Sequence, residues 1–201
     1  MSSTGLRETK KAATRDALAR AVVRLSAQRG FDAVSVEAVA AEVGVSARTF
    51  HNYFASKDDA LRAFMETILN RILLALEARP ADEGFFDSAT AAFMEVISDP
   101  GENPEELVQL MTLMDTEPSL VLNRDAGAND LITRFDELCA QRSTGPHGLL
   151  YTRLVLGCAG IAARVAFQQL NETGGMNDVL ATLQHAFDHL RTGLATAPDH
   201  R

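Results

Sequence analysis

Residues 46–57 read SARTFHNYFASK. Ser46, Arg48, Thr49, His51, Asn52, Tyr53 and Lys57 bring hydroxyls, a guanidinium, an imidazole, an amide and an ammonium into one short stretch. No nucleophile stands beside a base in it, and no pair of carboxylates is framed for acid–base work. Groups of this kind instead grip polar edges and phosphates. At about 100° per residue, with Phe50 at zero, Phe54 falls at about 40° and Ala47 at about 60°. On the same wheel His51 falls at about 100°, Arg48 at about 160°, Asn52 at about 200° and Thr49 at about 260°, with Tyr53 on the flank at about 300°. One arc therefore anchors the helix through its aromatics, and the opposite arc is available for recognition.

The flanking residues define the elements that hold this helix. Residues 10–29 place Ala13, Ala17, Leu18, Ala21, Val22 and Leu25 on one helical face, and Gly30 supplies the stop. Ser35 is an N-cap for SVEAVAAEV, Gly44 breaks that helix, and Ser46 caps the next after a short turn. Ser56 caps a longer helix from Lys57 to about Arg79, with Asp59 in a capping-box spacing and Pro80 closing it. A short helix, a glycine turn and a second short helix make a helix-turn-helix, whose second helix enters the DNA major groove. In that setting Arg48, Thr49, His51 and Asn52 reach base edges, while Ser35, Ser46, Tyr53 and Lys57 suit phosphates.

The rest of the chain repeats helical grammar. Residues 83–99 carry Phe86, Ala89, Phe93 and Ile97 at helical spacing. Asn103-Pro104-Glu105-Glu106 reads as a helix start, Pro118 begins a helix toward Cys139 that Gly127 weakens, and Gly145-Pro146 and Gly174-Gly175 delimit two final helices, about 147–171 and 177–195. No strand-period segment or internal repeat stands out. The expectation is an all-α protein of about nine helices, with a helix-turn-helix DNA-binding domain over 1–56 and a helical bundle over 57–201.

The stretch SVEAVAAEVGVSARTFHNYFASKDDAL, residues 35–61, with RGFDAVSV before it and the first helix, resembles the DNA-binding signature of the TetR family of bacterial transcriptional regulators. The motif resemblance covers about residues 10–65. It implies DNA contact by Ser35, Ser46, Arg48, Thr49, His51, Tyr53 and Lys57. Asn52 stands where relatives often carry a basic residue, and Ala47 adds no contact of its own. The resemblance also implies a divergent helical C-terminal domain that binds an inducer and dimerises.

Charge is distributed in keeping with such a reading. The 201 residues carry a net charge of -8, yet residues 1–62 hold 10 Lys and Arg against 7 Asp and Glu, and residues 63–201 hold 9 against 20. A basic head meets a polyanion and an acidic body stays clear of it. The N-terminus lacks a signal-peptide pattern and no apolar run approaches the length of a bilayer span, so a cytoplasmic protein without a membrane partner is expected. Cys139 and Cys158 lack metal spacing and read as free thiols in a reducing compartment.

In the body, residues 149–167 are apolar almost all round, and Gly157, Ala159, Gly160 and Ala163 would let another helix approach closely. With the stripe Val179, Leu183, Phe187, Leu190 and Leu194, they predict a homodimer built from the last two helices of each subunit. Phe93, Met94, Leu110, Met111, Met114, Phe135 and Phe167 are apolar candidates for an inducer pocket, with Arg164 and Gln168, and less strongly Gln109 and Thr112, as its polar groups. The His185 and His189 pair flanking Asp188 lacks a third ligand and reads as surface, and no cofactor is expected. The functional expectation is a non-enzymatic repressor that binds a palindromic operator as a dimer and is released by an unknown small molecule. The alternative is a helix-turn-helix regulator governed by a protein partner or by its own abundance.

Overall fold

Serine hydroxyls start the two short helices near the N-terminus. The Ser35 Oγ accepts from the Ala38 amide and opens α2 (Val36–Val43), and the Ser46 Oγ accepts from the Thr49 amide and opens α3 (Ala47–His51). Each hydroxyl satisfies one N–H that lacks a partner within its own helix. Gly44 ends α2 at φ 76°, and its amide reaches the carbonyls of Ala40 and Ala41. A Cβ there would meet open space, so the need for glycine comes from the left-handed backbone and not from crowding. Before them lies α1 (Ser3–Arg29) and after them α4 (Lys57–Glu77). The Ser56 Oγ accepts from the Asp59 amide, and the Asp59 carboxylate accepts in return from Ala55, one residue earlier than a strict capping box.

The computed structural model describes residues 3–99, 103–116, 126–173 and 176–194. Among the described residues the chain forms nine helices and no strand, as the periodicity predicts. The remaining five are α5 (Phe85–Ile97), α6 (Pro104–Thr116), α7 (Ala126–Gln141), α8 (Gly148–Thr173) and α9 (Met176–Thr192). The start predicted at Pro118 and the Gly174-Gly175 break lie outside the described residues. Gly127 sits in the first turn of α7 and not in its middle. The chain divides into two compact units, Met1–Ile68 with Glu105–Arg124, and Leu69–Pro104 with Asp125–Arg201.

In the first unit, α1 begins at Ser3, well before the predicted residue 10. The Thr9 and Thr14 hydroxyls donate to the carbonyls of Gly5 and Lys10, and no proline interrupts the extension. Ala13 is exposed, so the packed face starts later than its spacing suggests, with Leu18, Ala21, Val22 and Leu25 all buried. The same unit contains a charge buried by design of its partners. Glu106, in the first turn of α6, is 3% exposed, and its two oxygens accept from Arg20 at 2.7 Å and Arg24 at 2.8 Å. Arg20 is itself held by Asp16 at 2.8 Å and lies 5.1 Å from the Phe64 ring centroid. Two guanidinium groups on one helical face thus replace the water that a carboxylate loses on burial.

In the second unit, α8 packs on α5, α7 and α9. Ala89, Phe93 and Ile97 of the expected stripe are buried with Ala92, and only its first position differs, where Phe85 points inward in place of Phe86. Phe86 is half-buried, with the Arg191 guanidinium 4.8 Å from its ring centroid. Val179, Leu183 and Phe187 of α9 are buried within the unit, and Phe187 meets Phe93 edge-on at 6.5 Å. Ala159 and Ala163 are buried too, whereas Gly157 and Gly160 face open space. The four small residues therefore serve two faces of α8 and not one. By length and composition Gly148–Gln169 would pass for a membrane span, contrary to the expectation of no such run. Its Arg153 pairs with Asp136 at 3.0 Å, and its packing on three helices is that of a bundle element.

The turn between α4 and α5 is tied by ions. Glu83 accepts from the Arg79 Nε at 2.7 Å and from the Ser88 Oγ at 2.7 Å, and Arg142 donates to the Glu83 carbonyl at 3.0 Å. The Arg79 hydrogen bond, then the Ser88 hydroxyl, hold the Glu83 carboxyl down from 4.5 to about 2. A carboxyl depressed on folding stabilises the fold above its unfolded value and loses that contribution as pH falls toward its folded one. The stability gap between wild type and Glu83→Gln should therefore shrink between pH 4.5 and about 2, read from urea midpoints across that window. Burial raises the Cys139 thiol above its ordinary value, which keeps it protonated and inert.

Glu106→Ala should cost about 3 kcal/mol in urea denaturation, because it removes the buried carboxylate that both guanidinium groups share. Arg191→Ala, which breaks the exposed pair with Asp87, should cost less than about 1 kcal/mol. Equal costs would mean that burial of the Glu106 carboxylate contributes nothing.

Candidate nucleic-acid interface

A helix of five residues has too few internal hydrogen bonds to persist alone. The fold holds α3 through Phe50, which is fully buried, and through Phe54, whose ring lies 5.7 Å from that of Phe50. The Phe54 ring is flanked in turn by Arg15 of α1, with the guanidinium carbon 5.0 Å from its centroid. Tyr53 and Phe54 amides continue the chain's hydrogen bonding past the helix by donating to the Phe50 carbonyl.

On the opposite arc Arg48, His51 and Asn52 are exposed, in the order that the helical wheel gives. Arg48, His51 and Asn52 form no side-chain hydrogen bond or ion pair among the described residues. Asn52 is also the C-cap residue, with its amide donating to the carbonyls of Arg48 and Thr49. Thr49 is half-buried, and its hydroxyl lies 2.9 Å from that of Ser46. Ser35 and Ser46 are exposed caps, each with its oxygen engaged by an amide, and the Ser35 hydroxyl proton is still able to donate, whereas the hydroxyls of Ser46 and Thr49 share one hydrogen bond. Tyr53 is half-buried on the flank.

Lys57 is placed differently. Its ammonium donates to the carbonyls of Phe31 and Val34, the latter at 3.2 Å, and lies 4.3 Å from the centroid of the Phe31 ring. Those carbonyls belong to the turn before α2, where no helix amide is available to them. The lysine thus ties the start of α4 to the turn that positions α2. Spacing alone gives no sign of this, because the acceptors are main-chain atoms 23 and 26 residues away.

Comparison with known proteins follows the same residues. Residues 18–64, which span α2, α3 and parts of α1 and α4, match the model described as bacterial regulatory proteins, tetR family. Over 144 residues the chain is 31% identical to the HTH-type transcriptional regulator TcmR of Streptomyces glaucescens, covering 69% of this chain and 64% of that protein. Residues 18–64 carry the DNA-binding region of the TetR family. The match to TcmR spans just under two thirds of the length of that relative. In fold the chain is similar to the fatty acid degradation regulator FadR from Bacillus halodurans, with TM-score 0.61 at 16% identity over 92% of this chain and 97% of that one. It is likewise similar to a transcriptional regulator from Rhodococcus sp. Rha1, with TM-score 0.57 at 18% identity over 92% and 99%.

The nine residues expected to line a pocket are divided between the two units. Leu110, Met111 and Met114 lie in the first unit, and Phe93, Met94, Phe135, Arg164, Phe167 and Gln168 in the second. Phe93 and Phe167 are buried as core, Phe135 packs against the cluster around Leu73 and Leu138, and Arg164 and Gln168 are exposed. The second unit instead has an open groove of about 590 Å³ between α4 and α5, lined by Arg71, Leu74, Ala75, Ala78, Glu95, Val96, Ser98 and Asp99. Arg71 and Asp99 pair across it. Apolar residue type selects core and pocket alike, so it could not find these residues. His185 and His189 are exposed on α9.

Phe50→Ala should cost about 3 to 5 kcal/mol and Lys57→Ala about 2 kcal/mol, while Arg48→Ala stays within about 0.5 kcal/mol, all by thermal or urea unfolding. A Lys57→Ala variant as stable as wild type would show that its two carbonyl contacts are incidental.

Proposed function

We propose that the protein is a cytoplasmic transcriptional regulator, a repressor that binds a palindromic operator as a homodimer and leaves it when a small molecule binds the body. The reading is carried by one observation: a buried Phe50 presents Arg48, His51 and Asn52 outward from the second helix of a capped helix-turn-helix. A guanidinium and an amide are the side chains best suited to guanine and adenine edges in the major groove. Thr49 adds a methyl and a hydroxyl, and Ser35, Ser46 and Tyr53 supply phosphate contacts around it. Lys57 contributes by fixing the frame, and any phosphate contact it makes uses what its two carbonyl acceptors leave.

Dimerisation is supported by α8. Leu150, Leu154 and Ile161 are 59%, 56% and 64% exposed, and at about 100° per residue they share one face with Gly157 and Val165. A ridge of large apolar side chains beside a glycine without a neighbour is costly in water and suits a self-complementary interface. For α9 the support is weaker, since Val179, Leu183 and Phe187 are spent inside the subunit, and Leu194, 73% exposed, lies just past the end of the helix. The inducer is an unidentified small molecule, with the groove between α4 and α5 as the place to look first, in preference to the residues expected from apolarity alone. Its Leu74, Ala75, Ala78 and Val96 side chains and the Glu95 carboxylate suit an amphipathic ligand with a polar end.

Two measurements on DNA from the region flanking the gene test the reading. Arg48→Ala should reduce preference for the footprinted site over mixed sequence by about 1 to 3 kcal/mol, and unchanged selectivity would remove Arg48 from base readout. Ile161→Glu should convert the dimer to monomer by light scattering and weaken operator binding, since two half-sites are read together. A monomeric wild-type protein would overturn the dimer.

A further inference from the structure

The face of α1 that builds the core does not end where the core ends. With Leu18 at zero, Leu25 lies at about 340° and Val22 at about 40°, the middle of the buried arc. On the same wheel Arg7 lies at about 340°, Lys11 at about 20° and Arg15 at about 60°, with Lys10 at its edge near 280°. The stripe that is aliphatic beyond residue 17 is therefore mainly cationic before it, with Thr14 inside the arc near 320° and Glu8 at its other edge near 80°. Residues 7–13 and 15 are exposed, so the helix runs on past its own core with that face uncovered. Among the described residues Arg7, Lys10 and Lys11 form no ion pair, although Glu8 is close by in sequence. An uncovered core face would ordinarily be trimmed or made neutral and polar, and here it carries three unpaired cations.

The placement adds direction. Arg15 rests on Phe54, the aromatic that follows α3, and α1 and α2 pack together as α2 and α3 do. The cationic stripe thus leaves the unit on the side where α1 meets the anchor of the candidate recognition helix. From Arg7 to Arg15 it is about 12 Å long, with successive cations about 6 Å apart along the axis. Duplex DNA carries a phosphate charge every 3.4 Å or so along each strand, a spacing that such a row can follow.

We propose that the N-terminal extension of α1 is a phosphate-tracking arm, in which Arg7, Lys10 and Lys11 contact the DNA backbone beside the half-site read by α3. It rests on the DNA-binding reading above and adds to it a sequence-independent surface outside the helix-turn-helix. The arm strengthens binding to every sequence and contributes no base selectivity, because its groups are charges without a fixed hydrogen-bonding frame to a base edge.

The test uses the full-length protein and a short mixed-sequence duplex, with affinity measured by fluorescence anisotropy across about 50 to 200 mM salt. Replacing the three cations together (Arg7→Gln, Lys10→Gln, Lys11→Gln) keeps good helix formers in place, which circular dichroism checks. Each lost phosphate contact lowers the salt slope by about 0.9, so the triple variant should lose about 2.7 from the slope per protomer. Over that fourfold rise in salt, wild-type affinity should fall about 40-fold more than that of the variant for each protomer engaged. Ala12→Lys, at about 120° and turned away from Arg7, Lys10 and Lys11, should leave the slope unchanged. An unchanged slope in the triple variant, with wild type binding normally, overturns the arm and leaves the DNA-binding reading intact. A rise with Ala12→Lys as large per charge as the loss in the triple variant overturns the assigned face. Absence of duplex binding by wild type overturns both.

Discussion

Everything that α3 presents depends on Phe50. The helix closes only a few main-chain bonds of its own, so its axis and its rotation are set by the side chain buried beneath it and by the serine cap at its start. Rotate it by one residue and Arg48 moves about 100° away from any surface that it now addresses. Phe54, steadied by Arg15, fixes the exit of the same helix, and Lys57 fixes the turn before α2. Recognition in this protein is thus an orientation held by aromatic burial from one side, with the polar groups needing no contacts of their own to be aimed.

The same economy governs its charges. Cations of the first unit fall into two groups. Arg20, Arg24 and Lys57 lie inside the packing and satisfy a buried carboxylate or main-chain carbonyls. Arg7, Lys10, Lys11 and Arg48 are exposed. Net charge by segment counts both groups alike, yet only the second contributes a field at the surface. The acidic body follows a similar division, with Glu83 and Asp136 in ion pairs and Glu95 facing the groove.

Legibility in the sequence tracked how local the cause was. Caps, glycine stops and the angular sorting of α3 arise from residues within a few positions of one another, and they are found where the spacing puts them. On α5 the expected stripe holds at Ala89, Phe93 and Ile97 and differs only at its start, because adjacent phenylalanines leave that position ambiguous until α8 and α9 choose between them. Glu106 looked like an ordinary first-turn acid near a helix N-terminus, and its burial depends on arginines more than 80 residues away. The groove between α4 and α5 escaped notice for the converse reason: it is lined by small, ionic and aliphatic groups that no single-chain pattern sets apart from solvent-facing ones.

The Glu106 clamp has a consequence for how this family can exchange parts. The first compact unit is discontinuous, Met1–Ile68 with Glu105–Arg124, and the ion cluster stitches the two stretches together. A recombination event that carried only the N-terminal stretch onto another body would deliver Arg20 and Arg24 without their acid. Substitution at any one of the three positions removes contacts from the cluster, which couples the first third of the chain to its middle. The transplantable module is therefore written in two pieces of gene, and its boundary is ionic before it is a boundary of sequence.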